Sequence, residues 1–238
     1  KLQVGSTFSC SPVDPVDDTR LSVEAAQRVD VLSNRLFIEP LLGLGYPWQE
    51  MKALQGLERY MKEEDENLLK ADLDFIGLQN YTREVVRHST IMPYLSARIV
   101  KASKRGVPRT AMDWEVYPQG IYRVLKRFDA YHNCPKLIIT ENGAAFNDVV
   151  VNGQVEDHYR IRFYEQYLEQ VLRAKAEGIK VDGYFAWSFT DNFEWAEGYT
   201  KRFGLVYVDY ATQRRTIKSS GFWFQQFLQK QEQLLKAV

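Results

Sequence analysis

The sequence of 238 residues predicts an α/β fold built from parallel βα units, four of the eight that close a (β/α)8 barrel. Three observations lead there. Apolar runs recur at residues 2–8, 73–78, 137–140 and 181–187, amphipathic stretches separate them, and strand and helix alternate along the chain. Strands apolar on both faces need cover on both, and alternation implies right-handed crossovers. A closed barrel needs only ~250 residues, but the long loops here leave room for four strands.

After the first strand, a helix is expected to open at Ser22-Val23-Glu24-Ala25, with Ser22 as a plausible cap, and to run to about Leu42. After the second, Pro118 stands where the first turn of another helix begins, ahead of Ile121, Leu125 and Phe128. The third strand leads to a helix over residues 159–176, with Phe163, Tyr167, Leu168 and Val171 on one face and Gly178 as its stop. A last helix is expected from near Lys218. No linker, repeat or low-complexity segment divides the chain, so residues 1–238 are expected to be one structural unit. An open half-barrel exposes two strand edges and an apolar inner face, so a covering half is expected as partner, from the same parent chain or a second polypeptide.

Lys plus Arg and Asp plus Glu both number 31, giving a formal charge of zero and no long-range field toward nucleic acid or an anionic membrane. No apolar run approaches the roughly 20 residues of a membrane span, and Lys1-Leu2-Gln3-Val4-Gly5 lacks a signal-peptide layout. The default expectation is a cytoplasmic protein with a neutral partner. Two cysteines, Cys10 and Cys134, and three scattered histidines form no metal-ligand pattern, so neither metal nor cofactor is expected. The aromatic content is more telling, with 5 Trp and 14 Tyr, many beside Gly, Asn and acidic residues. Ring faces stack on sugar C–H surfaces while acids and amides hold hydroxyls, so this mixture suits a carbohydrate site, although any one ring could simply be core.

Two stretches carry chemistry. Leu137-Ile138-Ile139-Thr140-Glu141-Asn142-Gly143 is an apolar strand that delivers a carboxylate at its C-terminal end and then turns sharply, where barrel enzymes keep their catalytic groups. Taken alone, Glu-Asn-Gly could equally be a polar strand end and turn. The segment from Gly183 to Tyr199 places Trp187, Trp195, Asp191, Glu194 and Glu197 just past another strand, a combination of stacking platform and hydroxyl acceptors. Asp191 and Glu197 could instead be solvated.

Together with Asp74-Phe75-Ile76-Gly77-Leu78, Trp114-Glu115-Val116-Tyr117-Pro118-Gln119-Gly120 and Arg202-Phe203-Gly204-Leu205-Val206-Tyr207-Val208-Asp209, these stretches resemble glycoside hydrolase family 1 in order and spacing. The resemblance covers essentially the whole chain and places it in the C-terminal half of the family's barrel. It implies a retaining β-glycosidase with Glu141 as nucleophile and Tyr81 hydrogen-bonded to it. It further implies that Glu194 grips the outer hydroxyls of the sugar, that Trp187 and Trp195 supply the platform and an indole N–H, and that Phe203 closes an apolar wall. Gln79-Asn80-Tyr81 stands where the family has Asn-Tyr-Tyr, which leaves Gln79 and Asn80 without an assigned role. The Asn-Glu-Pro segment that carries the family's acid/base is absent, and the covering half is expected to supply it. Glu194 would repel a phosphate, so unphosphorylated β-D-glucosides are the expected substrates, with β-galactosides and β-fucosides secondary. The alternative is a non-catalytic sugar-binding or scaffold half-barrel.

Overall fold

The computed structural model describes residues 2–236. Strands β1 (Gly5–Ser9) and β2 (Val13–Pro15) precede helices α1 (Arg20–Asp30), α2 (Leu36–Leu41) and α3 (Asp65–Leu69). Strands β3 (Phe75–Gln79), β4 (Glu84–His88) and β5 (Ala97–Ile99) lead to α4 (Gln119–Asp129), and β6 (Lys136–Asn142) leads to α5 (His158–Ala176). Strand β7 (Val181–Ala186) is followed by the hairpin β8 (Val206–Val208) and β9 (Arg215–Ile217), then α6 (Ser219–Lys236).

The main sheet runs β1-β3-β6-β7, every pair parallel, so the four expected βα units are present. Ile76, Leu78, Leu137 and Ile139 are buried against Ile121, Leu125 and Phe128 of α4 and Phe163, Leu168 and Val171 of α5. Each such side chain contributes roughly 1.5–3 kcal/mol, which makes the helix side the stabilising side of the sheet.

The concave side is more polar than the apolar face expected. Thr7 and Thr140 meet there at 2.7 Å between hydroxyls. Gly77 lies between them, where a Cβ would come within 2.8 Å of both side chains. Phe75, Ile138 and Phe185 make up the apolar part of this side, and β1 and β7 are its open edges among the described residues.

Three local expectations change. The first helix starts at Arg20, capped by Thr19, whose hydroxyl accepts from the Ser22 amide at 3.4 Å, so Ser22 lies inside the helix and not at its cap. Nor does it run unbroken to Leu42: a wider π-type turn at Val31–Arg35 inserts a residue. Asn34, within that turn, donates to the Ser11 carbonyl at 2.9 Å and holds the segment leaving β1. Finally, segments expected as loops form a second sheet, β2-β4-β5, and the β8-β9 hairpin. Pro118 and Gly178 mark helix ends as expected, Gly178 with φ +96°, a conformation open to glycine at little steric cost.

Candidate active site

Strict alternation from the buried Leu137 and Ile139 would point Glu141 toward the helices. A bulge prevents this. Leu78 pairs with Ile139 but Gln79 pairs with Glu141, and on the other flank Tyr184 pairs with Ile139 but Ala186 with Asn142. The one extra residue in β6 turns Glu141 to the concave side beside Gln79 and sends Asn142 into the interior, fully buried.

Tyr81 lies two residues past β3, and its hydroxyl donates to Glu141 Oε2 at 2.5 Å. Burial first, then this bond and the adjacent negative charge, push the phenol well above its ordinary range, so it stays a donor. Its ring packs against Trp114 at 5.4 Å between centroids and edge-on to the buried Phe203 at 6.2 Å. Trp114 and Phe203 are themselves 6.1 Å apart, completing an aromatic wall beside the carboxylate.

The next segment comes extremely close. A Cβ at Gly143 would lie 1.8 Å from the Trp187 carbonyl oxygen, so only glycine lets β6 and β7 converge here. The Trp187 amide donates to the Asn142 carbonyl at 2.8 Å, and the Trp187–Ser188 peptide is cis. The close approach at Gly143 and the bond to Asn142 hold the Trp187 backbone against the end of β6, with its side chain half-buried.

Glu194 follows on a tight turn, its amide donating to the Gly198 carbonyl at 2.7 Å. Its Oε2 is buried and accepts no hydrogen bond. Burial raises the Glu194 pKa, the Trp187 indole opposes that, and the charges of Glu141 and Glu197 raise it further. The site thus holds an acceptor that no protein donor fills.

Behind the loop lies a network of charges. Asp191 is 3% exposed and accepts from Lys218 Nζ at 2.7 Å, Arg202 Nη1 at 2.6 Å and the Gly204 amide at 2.9 Å, which rules out the solvated role considered for it. Lys218 also bonds Asp148 at 2.5 Å, and Arg160 joins Asp148 and Asp157. This network anchors the segment carrying Trp187 and Glu194 to α5 and α6. Glu197, by contrast, is exposed and only 3.6 Å from Lys201.

Glu141, Tyr81, Trp187, Glu194 and Phe203 therefore gather around one end of β6. Trp195 stands apart, 82% exposed on its turn. Asn80 is buried and structural, donating to the Cys10 carbonyl at 2.7 Å and the Thr82 carbonyl at 3.2 Å. Trp114 is the member that the sequence did not single out, although it opens the Trp-Glu-Val-Tyr-Pro motif. Burial pushes the thiols up, Cys10 to about 12 and Cys134 to about 11, so neither is a nucleophile at neutral pH. Among the described residues no group of three or more His, Cys, Asp or Glu is placed to hold a metal.

The profile described as Glycosyl hydrolase family 1 matches residues 1–233. A 1,4-beta-D-glucan glucohydrolase from Thermotoga neapolitana is 41% identical over 224 residues, spanning 93% of this chain and 50% of that protein. Beta-glucosidase A from Thermotoga maritima is 39% identical over 227 residues, spanning 93% of this chain and 49% of that protein. The crystal structure of the AHE enzyme from Alicyclobacillus herbarius superposes with a TM-score of 0.90 at 40% identity, over 97% of this chain and 51% of the other. The chain thus spans about half the length of the proteins it matches.

Proposed function

Because this chain belongs to glycosyl hydrolase family 1, its four βα units forming part of a (β/α)8 barrel, we propose that it supplies the nucleophile-bearing half of a retaining β-glycosidase acting on β-D-glucosides. The observation that carries this is the Tyr81–Glu141 pair at 2.5 Å, turned onto the concave side by the β6 bulge. With Oε2 engaged, Glu141 Oε1 attacks the anomeric carbon. The leaving oxygen takes a proton from a carboxylic acid on the covering half, across the bond at a carboxyl separation of ~5 Å. Water then attacks the glycosyl ester, activated by that same group, and Glu141 is released with the anomeric configuration retained.

Substrate recognition in this reading rests on Glu194 and Trp187. The unfilled Oε2 of Glu194 accepts a sugar hydroxyl, and the Trp187 ring covers the sugar's C–H face. A negative group at Glu194 favours free hydroxyls over a 6-phosphate. Galactosides and fucosides are secondary substrates.

The test is to follow cellobiose by NMR with this chain alone and with the covering half added. Cleavage only in the mixture, with retention, supports the reading. Cleavage by the chain alone would place the acid within these residues, with Glu194 and Glu197 first in question. No cleavage in either case, despite association, would leave a sugar-binding scaffold.

A further inference from the structure

Three tyrosines on the helix side of the sheet, Tyr164 and Tyr167 fully buried and Tyr184 half-buried, send their hydroxyls to the site, two to backbone carbonyls and one to a buried side-chain amide. Tyr167 of α5 donates to the Tyr81 carbonyl at 3.1 Å and accepts from the Tyr117 amide at 3.0 Å. Tyr184 of β7 donates to Asn142 Oδ1 at 2.5 Å. Asn142 Nδ2 in turn donates to the Asn80 carbonyl at 2.6 Å, which fixes the amide's orientation because that carbonyl can only accept. Tyr164 of α5 donates to the Trp187 carbonyl at 3.2 Å. Their rings are locked together: Tyr167 stacks on Phe163 at 4.0 Å, and Tyr164 and Tyr184 both pack against Phe224.

We propose that Tyr164, Tyr167 and Tyr184 are positioning residues of the glycosidase, holding the backbone next to Trp187, Tyr81 and Glu141. This rests on the reading of Glu141 as nucleophile given above. Phenols suit the task because the fused aromatic core cannot shift without disrupting its packing, and each hydroxyl reaches a carbonyl or amide that side chains on the open side cannot. The alignment of Tyr81 with Glu141 is set from behind at two points. The Tyr81 carbonyl is held by Tyr167, and the preceding carbonyl is held by Asn142, which Tyr184 orients. Trp187 is held independently, by Tyr164.

The division of labour gives a kinetic signature. A 2-deoxy-2-fluoroglucoside with a good leaving group separates the two effects in the complete enzyme, because its inactivation rate constant reads bond formation at Glu141 and its inhibition constant reads sugar binding. Tyr167→Phe and Tyr184→Phe are expected to lower the rate constant about tenfold with binding within twofold. Tyr164→Phe is expected to weaken binding about fivefold with the rate constant within twofold. In a Tyr81→Phe background the Tyr167→Phe loss should vanish, since the residue acts through Tyr81. Tyr131→Phe, which removes a half-buried phenol's 3.3 Å bond to Glu39 away from the site, is the control and should leave both constants unchanged.

Additive losses in the double variant, or equal effects on rate and binding from all three tyrosines, would overturn the proposal. Where a variant loses its fold, Asn142→Asp, which keeps the acceptor for Tyr184 but removes the amide donor to the Asn80 carbonyl, tests the next link of the same arm and should lower the rate constant with binding within twofold. An unchanged rate constant there would also overturn that arm. Failure of Glu141→Gln to abolish labelling would instead discard the underlying reading, and is distinguishable because it requires no tyrosine variant.

Discussion

Two polar regions sit within one loop of each other and are built on opposite plans. In the network of Arg160, Lys218, Asp148, Asp157 and Asp191, every charge faces an opposite one and the cationic side chains are fully buried. At the end of β6, Glu141 accepts from Tyr81 on one oxygen, and Glu194 keeps a buried oxygen with no donor. The first region saturates its hydrogen bonds and the second withholds them. A scaffold is stable when no buried charge is left over, whereas a binding site needs acceptors that only a ligand will fill. The network anchors the loop that holds Glu194, and so keeps that unfilled acceptor at the end of β6.

The sharpest separation of the two regions comes from Glu141→Gln in the complete enzyme. Turnover should fall by about four orders of magnitude or more while the melting temperature and substrate binding barely move, since the amide preserves shape but cannot form the ester. A kcat above a tenth of the wild type, about 1.4 kcal/mol of barrier, would contradict the assignment.

Breaking the network should do the reverse. Lys218→Met leaves Asp148 and Asp191 facing each other without their shared cation, at an expected cost of about 3–5 kcal/mol. Denaturant unfolding measures it, and activity per folded molecule should change less than stability. A loss under about 1 kcal/mol would show that Arg160 and Arg202 suffice.

At Glu194 the two plans meet in one residue. Glu194→Ser should weaken glucoside turnover strongly and improve 6-phosphoglucoside relative to it, because it removes both the charge-assisted acceptor and the repulsion. An unchanged ratio of kcat/KM values would place Glu194 outside the sugar subsite.

The smallest effect is on the pH dependence of stability. Glu194 has a pKa raised above 4.5, chiefly by burial, so the folded state holds its proton longer than the unfolded chain does. Its contribution is therefore complete below pH 4.5 and is lost as pH rises through the folded pKa. Glu194→Gln should remove that loss, raising the melting temperature of the sugar-free protein by about 1–2 °C at pH 7 and not at pH 4. An equal gain at both pH values would point to packing rather than charge.

Much of this architecture is local and legible in the sequence. The four apolar runs, the stop at Gly178 and the start at Pro118 follow from side-chain period and backbone preference, and the structure has them within a few residues. The Glu-Asn-Gly end of β6 was legible as a carboxylate at a sharp turn. Its direction was not, since alternation from Ile139 sends Glu141 to the wrong side and only pairing with both flanking strands reveals the bulge. Asp191 shows the same limit. Among Phe, Thr and Asn it reads as a hydroxyl acceptor or a solvated acid, and it is buried because Lys218 and Arg202, distant in the chain or displaced by a turn, converge on it.

The amino-acid order alone carries the units and their chemistry: four parallel βα modules, a carboxylate at one strand end and a second among tryptophans. The side that Glu141 faces, the place of Trp114 in its wall and the bonds from helix-side phenols to the site emerge in the folded chain alone. The difference is one of range. Period, caps and turns act over a few residues, while strand register, hydrogen bonds spanning 60 residues such as Tyr81 to Glu141, and the burial of a charge exist only once distant segments share one place.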